Sequence, residues 1–381
     1  MDFALNEDQQ LLRQEIIAFA KKHLNDGIEE RDQNQTFPRE LWRKCGEMGL
    51  PGLCVPEAHG GAGLDPLSTA LALEAFGYGC RDGGLVFSVC AHLLACVVPI
   101  VKFGNDEQKA QYLPKLASGD WIAVNAMSEP GSGSDAFAMT TRAVEDGDGF
   151  RIRGTKTFSS NGPVADVAVL YAVTAPDRGY HGGISAFLVD KENGFEVGQK
   201  FDKMGLRTAP LSELVFDDVW VPRSALLGRL GAGGNMFNES MEWERTCIAA
   251  AHVGTMQWLL ETATTYTRTR QAFGQAVAKF QAVSHRLVDF KVRLETARLL
   301  TYKAASRLGK ARDVGLDASM VKLYVSESLV TSAMDAVRVM GGYGYMKEYE
   351  VERVLRDSVS SVLYSGTSEI QKTIIAGWMG L

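Results

Sequence analysis

Val164-Ala165-Asp166-Val167-Ala168-Val169-Leu170-Tyr171-Ala172-Val173 is a nearly unbroken apolar run that reads as a β-strand. It sits in a stretch whose hydrophobic period is two. Phe150-Arg151-Ile152-Arg153 alternates apolar and polar, and residues 184–189, 195–197 and 214–221 follow as further strands, parted by Gly, Asp and Pro. Asp146-Gly147 and Asp148-Gly149 are hairpin dipeptides. From Trp121 to about residue 234 the chain is therefore expected to form an antiparallel sheet or small barrel.

On either side the period changes to that of a helix. Within residues 6–24, Leu11, Leu12, Ile16, Ile17 and Phe19 are spaced for one helical face. Pro38 suits the first turn of a helix continuing through Leu41, Trp42 and Met48. Residues 67–76 and 86–101 read as helices, as do 106–116, with Asn105 or Asp106 as N-cap and Lys115 near the end. Beyond the sheet come long helices at 235–270, 280–309, 316–340 and 368–378, with glycine-rich breaks at 231–234 and 341–344. The expected fold is α+β: an N-terminal helical domain over 1–120, a middle antiparallel β domain over 121–234 and a C-terminal four-helix bundle over 235–381.

A length of 381 residues suits two or three domains. With 46% hydrophobic and 23% charged residues the composition is that of a globular protein. A net charge of -6 leaves no basic excess to displace counterions from nucleic-acid phosphates. The opening MDFALNEDQQLL lacks the basic start and apolar stretch of a signal peptide. The apolar stretch 84–101 is interrupted by His92 and reads as a buried helix, not a membrane span. Six cysteines at 45, 54, 80, 90, 96 and 247 form no CxxC pair, so we expect reduced core residues, no metal site and a cytoplasmic location.

Five stretches carry possible chemistry. Glu129-Pro130-Gly131-Ser132-Gly133-Ser134-Asp135 contains GSGSDA, which fits a dinucleotide pattern, but β-like sequence on both sides rules out the βαβ unit which that fingerprint needs. What remains is approachable backbone N–H and two hydroxyls, or a plain turn. Lys156-Thr157-Phe158-Ser159-Ser160-Asn161-Gly162 could stack and hydrogen-bond a planar ring, or form a hairpin. In Arg268-Thr269-Arg270-Gln271-Ala272-Phe273-Gly274, Arg270 could pair with a phosphate, or the stretch could end a helix. Gly341-Gly342-Tyr343-Gly344-Tyr345 allows close backbone approach, or an interhelical turn. The fifth is Arg356-Asp357 followed by Tyr364-Ser365-Gly366-Thr367-Ser368-Glu369-Ile370-Gln371, where Thr367 or Ser368 can cap the last helix.

In this order, the five motifs resemble the acyl-CoA dehydrogenase family across essentially the whole chain. The resemblance implies FAD held between the β domain and the C-terminal bundle, in a homotetramer whose second subunit closes the site. By position, Met127, Ser128 and Ser134 would line the flavin, with Phe158 stacking near its ring and Ser160 bonding its edge; the family commonly has Trp in place of Phe158. Arg270, Phe273 and Gln281 would reach FAD from a neighbouring subunit. Arg338, Gly341 and Gly342 would contact its pyrophosphate or adenosine half, and Thr367 and Glu369 the near side; Gln is common in place of Arg338.

The implied chemistry removes an α-proton beside a thioester while a β-hydride moves to flavin N5, so it needs a carboxylate base and stabilisation of the thioester oxygen. Many members place Glu directly before the Gly-Thr of the last motif, where this chain has Ser365. Isovaleryl-type members instead place Glu before Arg on the first long C-terminal helix. Here Met241-Glu242-Trp243-Glu244-Arg245-Thr246 puts Glu244 at that position, with Arg245 set to orient nearby groups or the substrate. Small Ser365 opposite would leave room for a branched or cyclic acyl group.

The expected activity is α,β-dehydrogenation of an acyl thioester. The MEWER context also resembles relatives that oxidise prolyl or other aminoacyl groups on a carrier protein, so both coenzyme A and a carrier protein stand as the thioester's carrier. Electron-transfer flavoprotein or dioxygen is the expected acceptor, and a flavin-dependent oxygenase or oxidase on the same fold is the alternative activity.

Overall fold

The computed structural model describes residues 4–381; the first three residues of the N-terminal segment lie outside the described part. Before the sheet come α1 (Glu7–His23), α2 (Ile28–Asn34), α3 (Arg39–Glu47), α4 (Pro66–Gly79), α5 (Gly83–His92), α6 (Val98–Phe103) and α7 (Asp106–Ala117). Asn6 caps α1 by accepting from Gln9 N at 2.8 Å, while Gln9 Oε1 accepts from Asn6 N at 3.2 Å. Asn105 and Gln108 repeat this reciprocal cap on α7. The short helix α2 has too few turns to show a hydrophobic period, and the sequence reading passed over it.

A π-helical turn over Leu93–Val97 joins α5 and α6 into one rod, Gly83–Phe103. By length and composition this rod could cross a bilayer, yet 83% of its most apolar window is buried inside the protein. It is the central helix of the N-terminal core, packed with Trp42, Leu113 and Leu116.

The middle of the chain forms β1 (Ala123–Ala126), β2 (Arg142–Asp146), β3 (Gly149–Ser160), β4 (Val167–Val173), β5 (Ile184–Asp190), a short α8 (Lys191–Gly194), β6 (Glu196–Lys200), β7 (Leu211–Pro222) and β8 (Leu226–Leu227). Their order in the sheet is β6-β7-β3-β2-β4-β5-β8, with β1 beside β4. Most pairings are antiparallel, as expected. Two are parallel: β1 with β4, where Ala123 faces Val167, and the single Arg142–Val173 pair between β2 and β4. A parallel pair needs a long crossover, and the stretch between β1 and β4, which contains the β2–β3 hairpin, supplies it. Alternation in a sequence has the same period for either direction, so it does not reveal this.

Strand β4 explains its own apolar sequence. Val167, Val169 and Tyr171 join the core shared with the helices, while Ala168, Leu170 and Ala172 join a separate core with Phe150, Phe187 and Phe216. Both faces are covered, so no polar alternation survives. The β2–β3 hairpin turns through Gly147-Asp148, with Gly147 at φ 63° and Asp146 paired to Gly149.

The remainder comprises α9 (Gly233–Thr269), a tiny hairpin of β9 (Gln271–Ala272) and β10 (Gln275–Ala276), α10 (Gln281–Arg307), α11 (Val314–Met340), α12 (Val351–Val359) and α13 (Ser368–Met379). Helix α9 is 37 residues long and is the wall common to two cores. Its Cys247, Ile248 and Ala251 face the N-terminal core, and its Val253, Met256 and Leu260 pack with Phe290, Leu294 and Val325 of α10 and α11.

Helices α4 and α9 touch backbone to backbone at glycines. A Cβ on Gly254 would lie 2.1 Å from the Glu74 carbonyl oxygen, and one on Gly77 would lie 2.1 Å from that of Ala251. Gly254→Ala must therefore push the helices apart and is expected to destabilise the protein by about 1–3 kcal/mol. Denaturant unfolding reads this directly; an unchanged midpoint would show that the crossing yields freely.

Candidate active site

The first functional loop is built on a buried ion pair. Lys156 of β3 is fully buried, and its Nζ donates to Glu129 Oε1 and the Met127 carbonyl, both at 2.9 Å. Glu129 also accepts from Thr140 N at 2.6 Å, Thr140 Oγ1 at 2.7 Å and Thr141 N at 2.8 Å. Burial acts to raise the Glu129 pKa, but Lys156 and these donors outweigh it and hold it down to about 2. Burial also lowers Lys156 to about 8, so both partners are charged at neutral pH.

This pair clamps both ends of the glycine-serine loop. Glu129 and Ser132 exchange backbone hydrogen bonds at 3.1 and 3.0 Å, closing a tight turn, and Ser132 Oγ donates to the Asp135 carbonyl at 2.5 Å. Ser134 is exposed, Met127 is buried, and half-buried Ser128 accepts from Thr157 N at 2.8 Å through its carbonyl. No helix follows the loop, consistent with the exclusion of a dinucleotide βαβ unit.

Phe158 sits where β3 bulges against β7, between Lys156 and Ser159, at φ 51° and 64% exposed. A positive φ is costly for an aromatic residue, and here the bulge turns the ring out of the sheet. Phe201 is its ring neighbour at 5.3 Å. Ser160, two residues on, is half-buried on the same strand.

The second cluster joins α9 to the segment before α13. Glu244 is buried at 8% exposure, on the helix face that also carries Met241 and Ile248. Ser365 Oγ donates a short hydrogen bond to Glu244 Oε1. Ser365 has φ 55°, and its carbonyl accepts from Arg245 Nε at 3.0 Å and Gln371 Nε2 at 3.1 Å. Burial raises the Glu244 pKa; the Ser365 hydroxyl, Arg245 and Lys322 oppose it, in that order.

The other acids of this helix differ. Glu239 pairs at the surface with Lys102 at 2.7 Å, and Glu242 is only half-buried. Thr367 caps α13 by accepting from Ile370 N at 3.3 Å, while Glu369 is exposed in its first turn. Tyr364 bonds His252 through its hydroxyl at 2.6 Å and packs on Phe87 at 4.8 Å between ring centres. Beyond this aromatic pair lies a cavity of about 50 Å³, bordered by Cys90, Ile248, Ala251 and Asp357.

A third group lies apart. Arg270, Phe273, Arg338, Gly341 and Gly342 border one open recess of about 660 Å³ at the bundle end, and none of the β-domain site residues line it. Phe273 stands at the tip of the β9–β10 hairpin at φ 49° and 97% exposed. The Arg270 guanidinium lies over the Tyr343 ring at 5.4 Å. Gln281 begins α10 beside this recess, which is lined there by Phe280 and Val283 in its place. A Cβ on Gly341 or Gly342 would meet nothing within 4 Å, so the backbone is open to a ligand. Two arginines, bare glycine backbone and outward aromatics fit a cofactor with phosphates and a planar ring, as FAD has.

Reading the sequence alone missed three groups: the Glu129–Lys156 pair, the His252–Tyr364 bond and Lys322. The two pairs join residues far apart in the chain, and Lys322 is one of several charged residues on α11.

One face of the mixed sheet joins the N-terminal helical core, which shares α9 with the C-terminal bundle, and a buried carboxylate lies where α9 meets the loop before α13. Family models of the acyl-CoA dehydrogenase N-terminal, middle and C-terminal domains match residues 6–120, 125–219 and 231–380. The chain belongs to the acyl-CoA dehydrogenase family. It is 42% identical to an L-prolyl-(peptidyl-carrier protein) dehydrogenase of Serratia sp., over 100% of this chain and 99% of that protein. Among solved structures, the prolyl acyl carrier protein oxidase AnaB superposes with a TM-score of 0.97 at 43% identity, covering 99% of this chain and 100% of AnaB. PigA, solved with FAD and proline, has a TM-score of 0.97 at 41% identity, with 100% of both chains covered.

Proposed function

We propose that this chain is an FAD-dependent dehydrogenase of a small aminoacyl thioester, of the prolyl type, carried on a carrier protein, with Glu244 as the base. The observation that carries this reading is the buried Glu244 carboxylate held against Ser365, in a chain without a carboxylate at position 365. The likeness to PigA and AnaB over the whole chain supports a prolyl group and a carrier protein over coenzyme A.

Glu244 takes the α-proton. Its burial raises the proton affinity of the carboxylate towards that of a working base, while the Ser365 hydroxyl fixes one oxygen and leaves the other free. Arg245 holds the Ser365 carbonyl and so fixes the hydroxyl's position, and its charge also opposes the rise in the Glu244 pKa. Ser365, smaller than the glutamate common there, leaves space for a ring, and Phe87 and Tyr364 limit its depth. FAD supplies the acceptor for the hydride leaving the neighbouring carbon, so the acyl group loses two hydrogens and two electrons. Met127, Ser128, Ser134, Phe158, Ser160, Thr367 and Glu369 would hold the flavin half. Arg270, Phe273, Gln281, Arg338, Gly341 and Gly342 would hold the phosphates and adenosine of a cofactor shared with another copy.

That sharing supports a homotetramer. Val288, Val292 and Leu299 form an exposed apolar stripe along α10, at 59%, 61% and 50% exposure, suited to a second copy. Light scattering on the holoenzyme reads the state. The acceptor we propose is an electron-transfer flavoprotein or dioxygen. AnaB, described as an oxidase, favours dioxygen, and reoxidation kinetics in aerated buffer separate the two.

Anaerobic bleaching of the flavin by prolyl-loaded carrier, with loss of two mass units from the carrier, tests the function. Bleaching by free acyl-CoA esters alone would overturn the carrier assignment. The recess has its own test. Gly342→Leu places its Cβ in open space, so it is expected to leave the apoprotein's melting point nearly unchanged and weaken FAD retention about tenfold or more. Full FAD content after gel filtration would place the cofactor elsewhere.

A further inference from the structure

Glu244, Ile248 and His252 follow one another at intervals of four along one face of α9. The first and last are about 12 Å apart along the helix axis. Ile248 and His252 border the cavity of about 50 Å³, as do Ala251, Thr255 and Trp258 of the same helix, whereas Glu244 and Ser365 do not. Tyr364 belongs to both sides. It borders the cavity, and the residue after it is Ser365, which bonds Glu244.

The Tyr364 ring is held at two points. Phe87 of α5 packs against it with ring centres 4.8 Å apart, and its hydroxyl hydrogen-bonds His252 Nε2 at 2.6 Å. Burial keeps both bonded partners neutral, lowering His252 to about 4 and raising the Tyr364 hydroxyl. Phe87, His252 and Tyr364 are each half-buried and all border the cavity, so they are walls of a space and not sealed core. Close-packed interiors hold few such spaces, and an unfilled one costs stability. The two charged residues on its border are engaged elsewhere, Arg81 with Glu350 at 2.6 Å and Asp357 with the Leu206 N–H at 2.5 Å. The cavity can therefore take an apolar chain without stranding a charge.

We propose that Tyr364, locked by its hydrogen bond to His252, is the floor of the acyl space and the residue that restricts this enzyme to compact acyl groups. A five-membered ring or a short chain fits between Glu244 and the Tyr364 ring. A longer chain is shut out, although the space that would receive it lies directly behind. The inference rests on Glu244 as the base and deepens the proposed function by naming what the site refuses. Tyr364 sets the depth by contact with the acyl group, and His252 is a positioning residue that keeps the ring from swinging aside.

The test compares prolyl, butyryl and hexanoyl groups, each presented on the carrier protein and as its coenzyme A ester, in anaerobic bleaching of the holoenzyme's flavin. The parent is expected to favour prolyl over hexanoyl by about a hundredfold or more in kcat/KM. Tyr364→Ala joins the two spaces, so that ratio should fall about a hundredfold, with the gain on hexanoyl appearing as a lower half-saturating concentration. Tyr364→Leu serves if the alanine variant does not fold. Tyr364→Phe keeps the ring and loses only the bond, and should lower the ratio about tenfold. A ratio within about threefold of the parent in a folded, FAD-loaded alanine or leucine variant would overturn the proposal. So would a parent that oxidises hexanoyl as readily as prolyl, or loss of the fold in both variants, since the ring would then serve stability alone. An unchanged ratio in Tyr364→Phe would remove His252 from it. If the parent ignores prolyl on either carrier, the proposed function fails, and the floor is judged by the butyryl-to-hexanoyl ratio in the same variants.

Discussion

Glu244→Gln is expected to lower turnover by about 10³–10⁴-fold while leaving the protein yellow with bound FAD. Glutamine has nearly the same volume, and its amide oxygen can still accept the Ser365 hydroxyl's hydrogen bond, so the pocket and the loop before α13 should be preserved. What disappears is the ability to take a proton. A thousandfold loss is about 4 kcal/mol of transition-state stabilisation, more than one neutral hydrogen bond contributes, and it assigns the loss to proton transfer and not to packing. The measurement is the rate of anaerobic flavin bleaching by prolyl-loaded carrier, with the melting point of each holoenzyme as control. A rate within about threefold of the parent would remove Glu244 from the reaction. Because burial raises its pKa, the parent should lose kcat/KM on acidification at a higher pH than an exposed glutamate would, and the glutamine variant should lack that limb.

How much of this could be read from the chain depended on the range of the interactions. The start of α7 was legible from Asn105, one of its two candidate caps, because capping is local. Strand β4 was legible because burial on both faces leaves an apolar run. Its parallel partner β1 was not, since alternation carries no direction. In the candidate site, the motif stretches could be named, but what each does to the backbone could not. The glycine-serine loop is held by a lysine 27 residues away, and the bulge at Phe158 depends on its register with β7. Glu244 and Ser365 are 121 residues apart, and their hydrogen bond follows only from the crossing of α9 with the loop before α13. Lys322 is one of several charged residues in the sequence of α11, and only the fold buries it.

Lys156→Met carries the second large effect. It leaves Glu129 charged, 4% exposed and without its cation, although the Thr140 and Thr141 donors remain. Breaking one side of a buried pair costs about 3–5 kcal/mol, and the unfolding midpoint should fall by roughly 10 °C. The consequence should reach the site, because the same ammonium also binds the Met127 carbonyl at 2.9 Å, so the loop that begins at Glu129 and the strand that presents Phe158 lose their common anchor. FAD retention should weaken together with the melting point. The pH dependence has a definite sign. The Glu129 pKa is depressed in the folded state, so its contribution to stability is complete above the ordinary carboxyl range and is lost as pH falls from about 4.5 to about 2. Lys156→Met should flatten the acid limb of the parent's stability curve over that window. The double variant Glu129→Gln with Lys156→Met removes both charges and should recover part of the lost stability, since two neutral partners cost less here than one stranded carboxylate. If the double variant is no more stable than Lys156→Met alone, the loss comes from the lysine's packing and its bond to Met127, and the ion pair does not anchor the loop.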